Sequence, residues 1–176
     1  MKKNRTRFVL IVLAMGALAS IGSAQVKLGF VNSQEVLEKS TEGKKILARL
    51  QEADKQNQAA VARLDEDIRT LQTKLSTQRL TLTEPAAAQL SADLEKKNTE
   101  RKRKAEDAYA TFNELQDRLF KQLQQELLSI IDQIGKDQGY DMIVELGKSG
   151  TLYRNPALDL SAEVIKRYDA SKATVR

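Results

Sequence analysis

The chain has 176 residues, 29 basic and 24 acidic side chains, no Cys and no His, and neither a P-loop nor a Gly-x-Gly-x-x-Gly run. Those absences exclude a Ser-His-Asp triad, a thiol nucleophile, a disulfide framework, the usual zinc ligand sets and the common phosphate-cradling loops. Few aromatic residues, two prolines and 30% charged side chains favour long helices with much exposed surface over a compact catalytic domain.

The first 24 residues read as an export signal. Lys2, Lys3, Arg5 and Arg7 precede an apolar run from Phe8 to Ile21, and Gly22-Ser23-Ala24 offers small residues for cleavage before Gln25. The run is short for a bilayer span of about 20 residues. Removing 24 of 176 residues leaves 152, and removing four of 29 basic side chains leaves 25 against 24 acidic ones. The net charge of +5 therefore belongs to the signal, and is no footprint for nucleic acid.

A short strand follows from Val26 to Val31. Asn32 and Glu35 are spaced as a capping box for a short helix carrying Val36 and Leu37. From about 42 to 138 strand signals almost vanish. The break at Thr81-Leu82-Thr83-Glu84-Pro85 divides two helices, about 42–81 and 84–138, with Thr83 as cap and Pro85 in the first turn. Val61, Leu64, Ile68, Leu71 and Leu75 step by threes and fours, as do Ala105, Ala108, Phe112, Leu115 and Leu119, which is a coiled-coil seam. A bend at Thr83 makes facing residue numbers add to about 166, so Leu71 should meet Leu94, Leu75 meet Leu90, Leu50 meet Leu115 and Leu47 meet Leu119.

The same register sets Asp65-Glu66-Asp67 against Glu100-Arg101-Lys102-Arg103. That basic run has no interleaved aromatic to stack bases, so it predicts charge pairing across the hairpin. Between Leu50 and Val61 the seam offers only Ala53, Ala59 and Ala60 among Asp54, Gln56 and Asn57, facing Ala105, Ala108, Tyr109 and Phe112. A tightly closed seam uses Leu or Ile here. Ala53, Asn57, Ala60, Ala105, Ala108, Tyr109 and Phe112 are therefore the candidate partner-facing residues of an arm that can bend or splay.

The C-terminal part predicts a β-hairpin, Met142–Leu146 and Thr151–Arg154, around Gly147-Lys148-Ser149-Gly150. A helix from about Ser161 to Ala170 ends the chain, with Ser161 as cap and Leu160 and Ile165 placed as a staple. Short strands carrying Leu28, Phe30, Ile143, Val144, Leu146 and Leu152 make a marginal sheet alone, which points to a body pooled between subunits. The fold class is mainly α: a long antiparallel helical hairpin, 42–138, on a small discontinuous β-body of 25–41 and 139–176.

This order of parts resembles the Skp/OmpH family of periplasmic chaperones. The resemblance rests on Leu28-Gly29-Phe30-Val31-Asn32, on Gly139-Tyr140-Asp141-Met142-Ile143-Val144, on Leu152-Tyr153, and on Asp159-Leu160-Ser161-Ala162-Glu163-Val164-Ile165. It implies a homotrimer whose three hairpins surround a cavity that holds unfolded outer-membrane proteins without ATP, metal or cofactor. The family's basic arm tips are not matched. Residues 70–97 carry Lys74, Arg79, Lys96 and Lys97 against Glu84, Asp93 and Glu95, which implies at most weak contact with a membrane surface. The competing reading is a structural coiled-coil spacer of the envelope, for which an unbroken seam would be the signature.

Overall fold

A computed structural model describes residues 26–78, 80–147 and 149–173. The expected signal at 1–24 and its cleavage point lie outside the described residues, as do Arg79 and Lys148.

Strand β1 (Leu28–Val31) alternates, with Gly29 and Val31 turned into the core and Leu28 and Phe30 turned away. Asn32 then starts helix α1 (Ser33–Lys39) by accepting the Glu35 N–H at 3.2 Å. Only half of the expected capping box forms. The Asn32 N–H goes to the Ser161 hydroxyl at 2.9 Å, and Glu35 pairs instead with Lys39. Ser40 ends α1 and caps helix α2 (Thr41–Thr77) by accepting the Gly43 N–H. At this corner the two helices nearly touch: a Cβ on Gly43 would collide with the Leu37 backbone carbonyl and Cα.

Helix α2 ends before the expected 81, because Thr81 and Leu82 donate to the Gln78 carbonyl and close a tight tip. Helix α3 (Glu84–Gln138) starts from an extended Thr83, as expected, but the Thr83 side chain makes no capping bond. Pro85 removes one of the two N–H groups such a cap would serve. Gly139, in the left-handed region at φ 66°, ends α3. The carbonyl left open at Gln138 receives the Lys27 ammonium at 2.6 Å, which also lies over the Tyr140 ring.

The long excursion of α2 and α3 returns the chain to β1, where strand β2 (Met142–Glu145) joins it in parallel: Leu28 opposite Met142, Phe30 opposite Val144. This corrects the expected β-hairpin. Residues 151–154 form no strand, and the partner of β2 is β1. Arg154 binds Asp159 at 2.6 Å, and Asn155 accepts the Ala157 N–H at the head of a short 3-10 turn, Pro156–Leu158. These local bonds carry the chain across to the other edge of β1, where Leu160 N–H donates to Phe30 O at 2.8 Å. Helix α4 (Ser161–Ala173) completes the fold. Its expected cap is also corrected: Asp159 accepts the Ser161 N–H, because the Ser161 hydroxyl is committed to Asn32.

The core lies where the arm meets the body. Leu119, Leu123, Leu127, Ile130 and Ile134 form one buried stripe of α3, packed in a single cluster with Val31, Val36, Val164 and Tyr168. Each such side chain contributes about 1.5–3 kcal/mol by leaving water. The premise that one copy lacks a core therefore needs correction, since the roots of the arm helices supply what the short strands cannot.

Candidate functional site: the arm seam and the outward sheet face

The arm register follows from three cross-helix contacts. Arg101 Nε meets Asp65 Oδ1 at 2.9 Å, Lys97 meets Asp67 at 3.0 Å, and Asn57 Nδ2 donates to Ala108 O at 3.2 Å. The residue numbers in these pairs add to 166, 164 and 165, in agreement with a bend at Thr83. Lys97 also reaches Glu100 at 3.4 Å, and its hydrogen bond to Asp67 raises its pKa above the ordinary lysine value. Of the basic run only Arg101 bridges the arm among the described residues. Lys102, Arg103 and Lys104 stay exposed.

Outward from the core, Ile46 and Leu50 are buried and Leu64, Ile68, Leu71 and Leu75 are half-buried or buried along one face of α2. Leu47 is not in the seam. It is exposed, because the three-and-four step through Leu50 passes through Ile46 instead.

The candidate partner-facing residues separate into two sets. Ala53, Asn57, Ala60, Ala105, Ala108 and Phe112 are half-buried and lie along the mutual face of the two helices. Methyl-sized side chains let α2 and α3 approach, and the Asn57 amide supplies a directed bond where aliphatic packing is thin. Tyr109, one residue on from Ala108 and so rotated by about 100° about the helix axis, is 73% exposed and stands apart from them. Beside the seam opens a shallow groove lined by Ala60, Leu64 and Ala92 together with both basic and acidic side chains, among them Arg63, Lys96, Glu100 and Asp107. Of the sequence candidates it contains only Ala60.

At the body, register places Leu28, Phe30, Met142 and Val144 together on the outward face of the two-stranded sheet. Met142 is 57% exposed, and Leu28 and Phe30 are partly exposed. Ile143 points the other way and packs against the core. Leu146 is half-buried and donates its N–H to Val31 O. Leu152 and its neighbour Tyr153 are almost fully exposed. Of the six residues assigned to the assembly surface, Leu28, Phe30, Val144 and Leu152 present apolar surface outward, whereas Ile143 is spent on the chain's own core. Met142 and Tyr153 belong with the outward group and were not singled out, since strand alternation alone does not say which face the arm root covers.

Among the described residues no group of three or more His, Cys, Asp or Glu side chains is arranged to hold a metal ion, and no helix is long and apolar enough to cross a membrane.

Comparison with known proteins agrees with this architecture. The fold is similar to that of a Caulobacter crescentus crystal structure described as an OmpH-like outer membrane chaperone, with a TM-score of 0.74 and 22% identity over 85% of this chain and 88% of that one. The sequence is 26% identical over 161 residues to the Vibrio cholerae protein named chaperone protein Skp, covering 89% of this chain and 92% of the relative. Residues 27–168 match the family described as outer membrane protein (OmpH-like). From the strand before the arm to the last helix after it, the chain belongs to the OmpH-like family.

Proposed function

We propose that the protein is an ATP-independent holding chaperone of the periplasm that keeps unfolded outer-membrane or other envelope proteins from aggregating. The observation that carries this is a long, highly exposed two-helix arm whose middle section faces α2 to α3 mainly through alanines, Asn57 and Phe112, set on a body with an outward apolar sheet face. Alanine packing is weaker than leucine packing, so the arm can bend or splay there and adapt to chains of different size. Many weak contacts along such arms hold an unfolded client by mass action, with no step that consumes nucleotide.

The outward face of Leu28, Phe30, Met142 and Val144, together with exposed Leu152 and Tyr153, supports assembly of three copies through the body. Clustered apolar surface of this kind is uncommon on a lasting monomer. The body is 25–41 with 139–176 and the arm is 42–138. The mature chain starts at Gln25, and N-terminal sequencing of exported protein that returned Met1 would contradict this.

The test is light scattering of a denatured β-barrel protein diluted with and without equimolar assembled protein. Suppressed scattering is expected, and a shortened arm lacking 57–109 should lose it while keeping the oligomer. Unchanged aggregation at several-fold excess would favour the spacer reading. That reading draws its support from the fixed register at Asp65–Arg101 and Asp67–Lys97.

A further inference from the structure

Helix α4 grips the arm roots at three stations. At the end of α3, Arg167 Nη1 donates to Asp137 at 2.8 Å and Gln138 donates to Glu163 at 2.6 Å. Eleven residues earlier on α3, Tyr168 Oη donates to Glu126 Oε2 and Lys172 Nζ to Glu126 Oε1, both at 2.6 Å. On α2, the Thr41 N–H and hydroxyl donate to the two oxygens of Asp169 at 2.9 and 3.1 Å. At about 1.5 Å per residue, the two stations on α3 are roughly 16 Å apart.

Two separated points fix the direction of a rod, and a third point off its axis fixes its rotation. The aliphatic stripe beneath cannot do this alone, because apolar burial is non-directional and tolerates rolling or sliding. The polar stations are directional. Tyr168 is the hinge-pin of the arrangement: its residue is 1% exposed, its ring is part of the core cluster, and its hydroxyl emerges on the α3 carboxylate.

We propose that Tyr168 and Glu126 are a positioning pair through which the C-terminal helix sets the angle at which the arm leaves the body. Lys172 and Gln122 hold the Glu126 carboxylate in place by donating to its second oxygen. Neither Tyr168 nor Glu126 has to touch a client; both act through the arm. The leverage is large. An arm of 37 residues on its shorter helix extends about 55 Å, so 10° of freedom at the root moves the tip by roughly 10 Å. The inference deepens the holding function above by naming what sets the spacing of the arms, and its test does not depend on holding.

The chain has no Cys, so labels can be placed without ambiguity. The full chain with Leu80→Cys at the exposed tip is labelled in one batch with a donor dye and in another with an acceptor. Mixed with an excess of unlabelled chain, assemblies that hold one donor and one acceptor copy report the distance between two arm tips by single-molecule energy transfer. Tyr168→Phe, which keeps the ring, and Glu126→Ala are each expected to shift or widen the distribution by about 10 Å for every 10° released, with helicity unchanged. Glu126→Gln, which still offers Tyr168 an acceptor oxygen, should recover part of the native distribution. Should Glu126→Ala fail to fold, Tyr168→Phe decides. An unchanged distribution overturns the proposal, and so does a change that appears only with loss of helicity, which would mean general loosening. Loss of holding by the native protein would overturn the chaperone reading and leave this one standing.

Discussion

The root and the middle of the arm are made from the same two helices by different rules. At the root, α3 turns Leu123, Leu127, Ile130 and Ile134 into a buried stripe and is held from outside by α4. Next along the arm, Ala53, Ala60, Ala105 and Ala108 stand at the equivalent positions with Asn57, before Leu64, Ile68, Leu71 and Leu75 resume an aliphatic seam toward the tip. One continuous helix thus carries a rigid foundation and a compliant shaft. Rigidity here is set by side-chain size along the seam, since the backbone is helical throughout both.

The sharpest way to break the contrast is at the α1–α2 corner. Gly43→Ala should prevent the corner from closing, because the new Cβ meets backbone rather than a movable side chain; a loss of more than about 4 kcal/mol is expected, read as failure of a cooperative melt. Next comes a paired truncation. Ile134→Ala, at a fully buried site, should cost about 2–5 kcal/mol in chemical denaturation, while Leu71→Ala, half-buried in the shaft, should cost clearly less. Equal costs would erase the distinction between foundation and shaft.

The contrast can also be sharpened. Replacing Ala53, Asn57 and Ala60 together with Leu should stiffen the shaft, slow its amide exchange, and narrow the range of client sizes kept soluble in the scattering assay. Acid should act at the root through Glu126. Burial works to raise the Glu126 pKa, but hydrogen bonds from Lys172, Tyr168 and Gln122 outweigh it and hold the carboxyl below its ordinary value of 4.5. Its contribution is therefore complete above about pH 4.5 and is lost as pH falls through the depressed folded value. In melts from pH 7 to pH 3, the advantage of the native chain over Glu126→Gln should shrink only in that acid window. The smallest effect is expected from Arg101, Lys102 and Arg103 changed together to Gln. Exposed pairs such as Arg101–Asp65 contribute only about 0.2–1 kcal/mol, so the arm should weaken slightly. Tight, salt-sensitive DNA binding that disappeared in this variant would overturn the hairpin assignment of the run.

The arm was legible in the sequence because its information is local. Three-and-four spacing, the Pro85 break and opposite charges at 65–67 and 100–103 are all visible within one helix length, and they gave a register that Arg101, Lys97 and Asn57 obey. The body was legible only in outline. Met142–Val144 reads as a strand, but whether its neighbour is residue 152 or residue 30 depends on the geometry of an arm about a hundred residues long, which no local pattern encodes. Turn chemistry at Gly147 and Gly150 pointed to the near partner, and the return of α3 to the base delivered the far one. The cap at Ser161 was misread for a related reason. Its hydroxyl faces a competitor, the Asn32 N–H, that lies 129 positions away.

The parallel pairing of β1 with β2 has a consequence for how the molecule folds. Leu28 and Met142 are far apart in the chain, yet the arm between them is an antiparallel zipper with its closed end at Gln78–Glu84. Closing a loop of about 110 residues costs roughly 2 kcal/mol more than closing a short turn of about seven. Zipping from the tip meets only small closures in succession, and each added pair brings the two chain ends nearer. The body sheet should therefore form last, at little further entropic cost. On a chain that emerged N-terminus first, β1 would appear early and wait, unpaired, for the final fifth to arrive. Pulse-labelled amide exchange during refolding should show the tip of α2 and α3 protected before Phe30 and Val144.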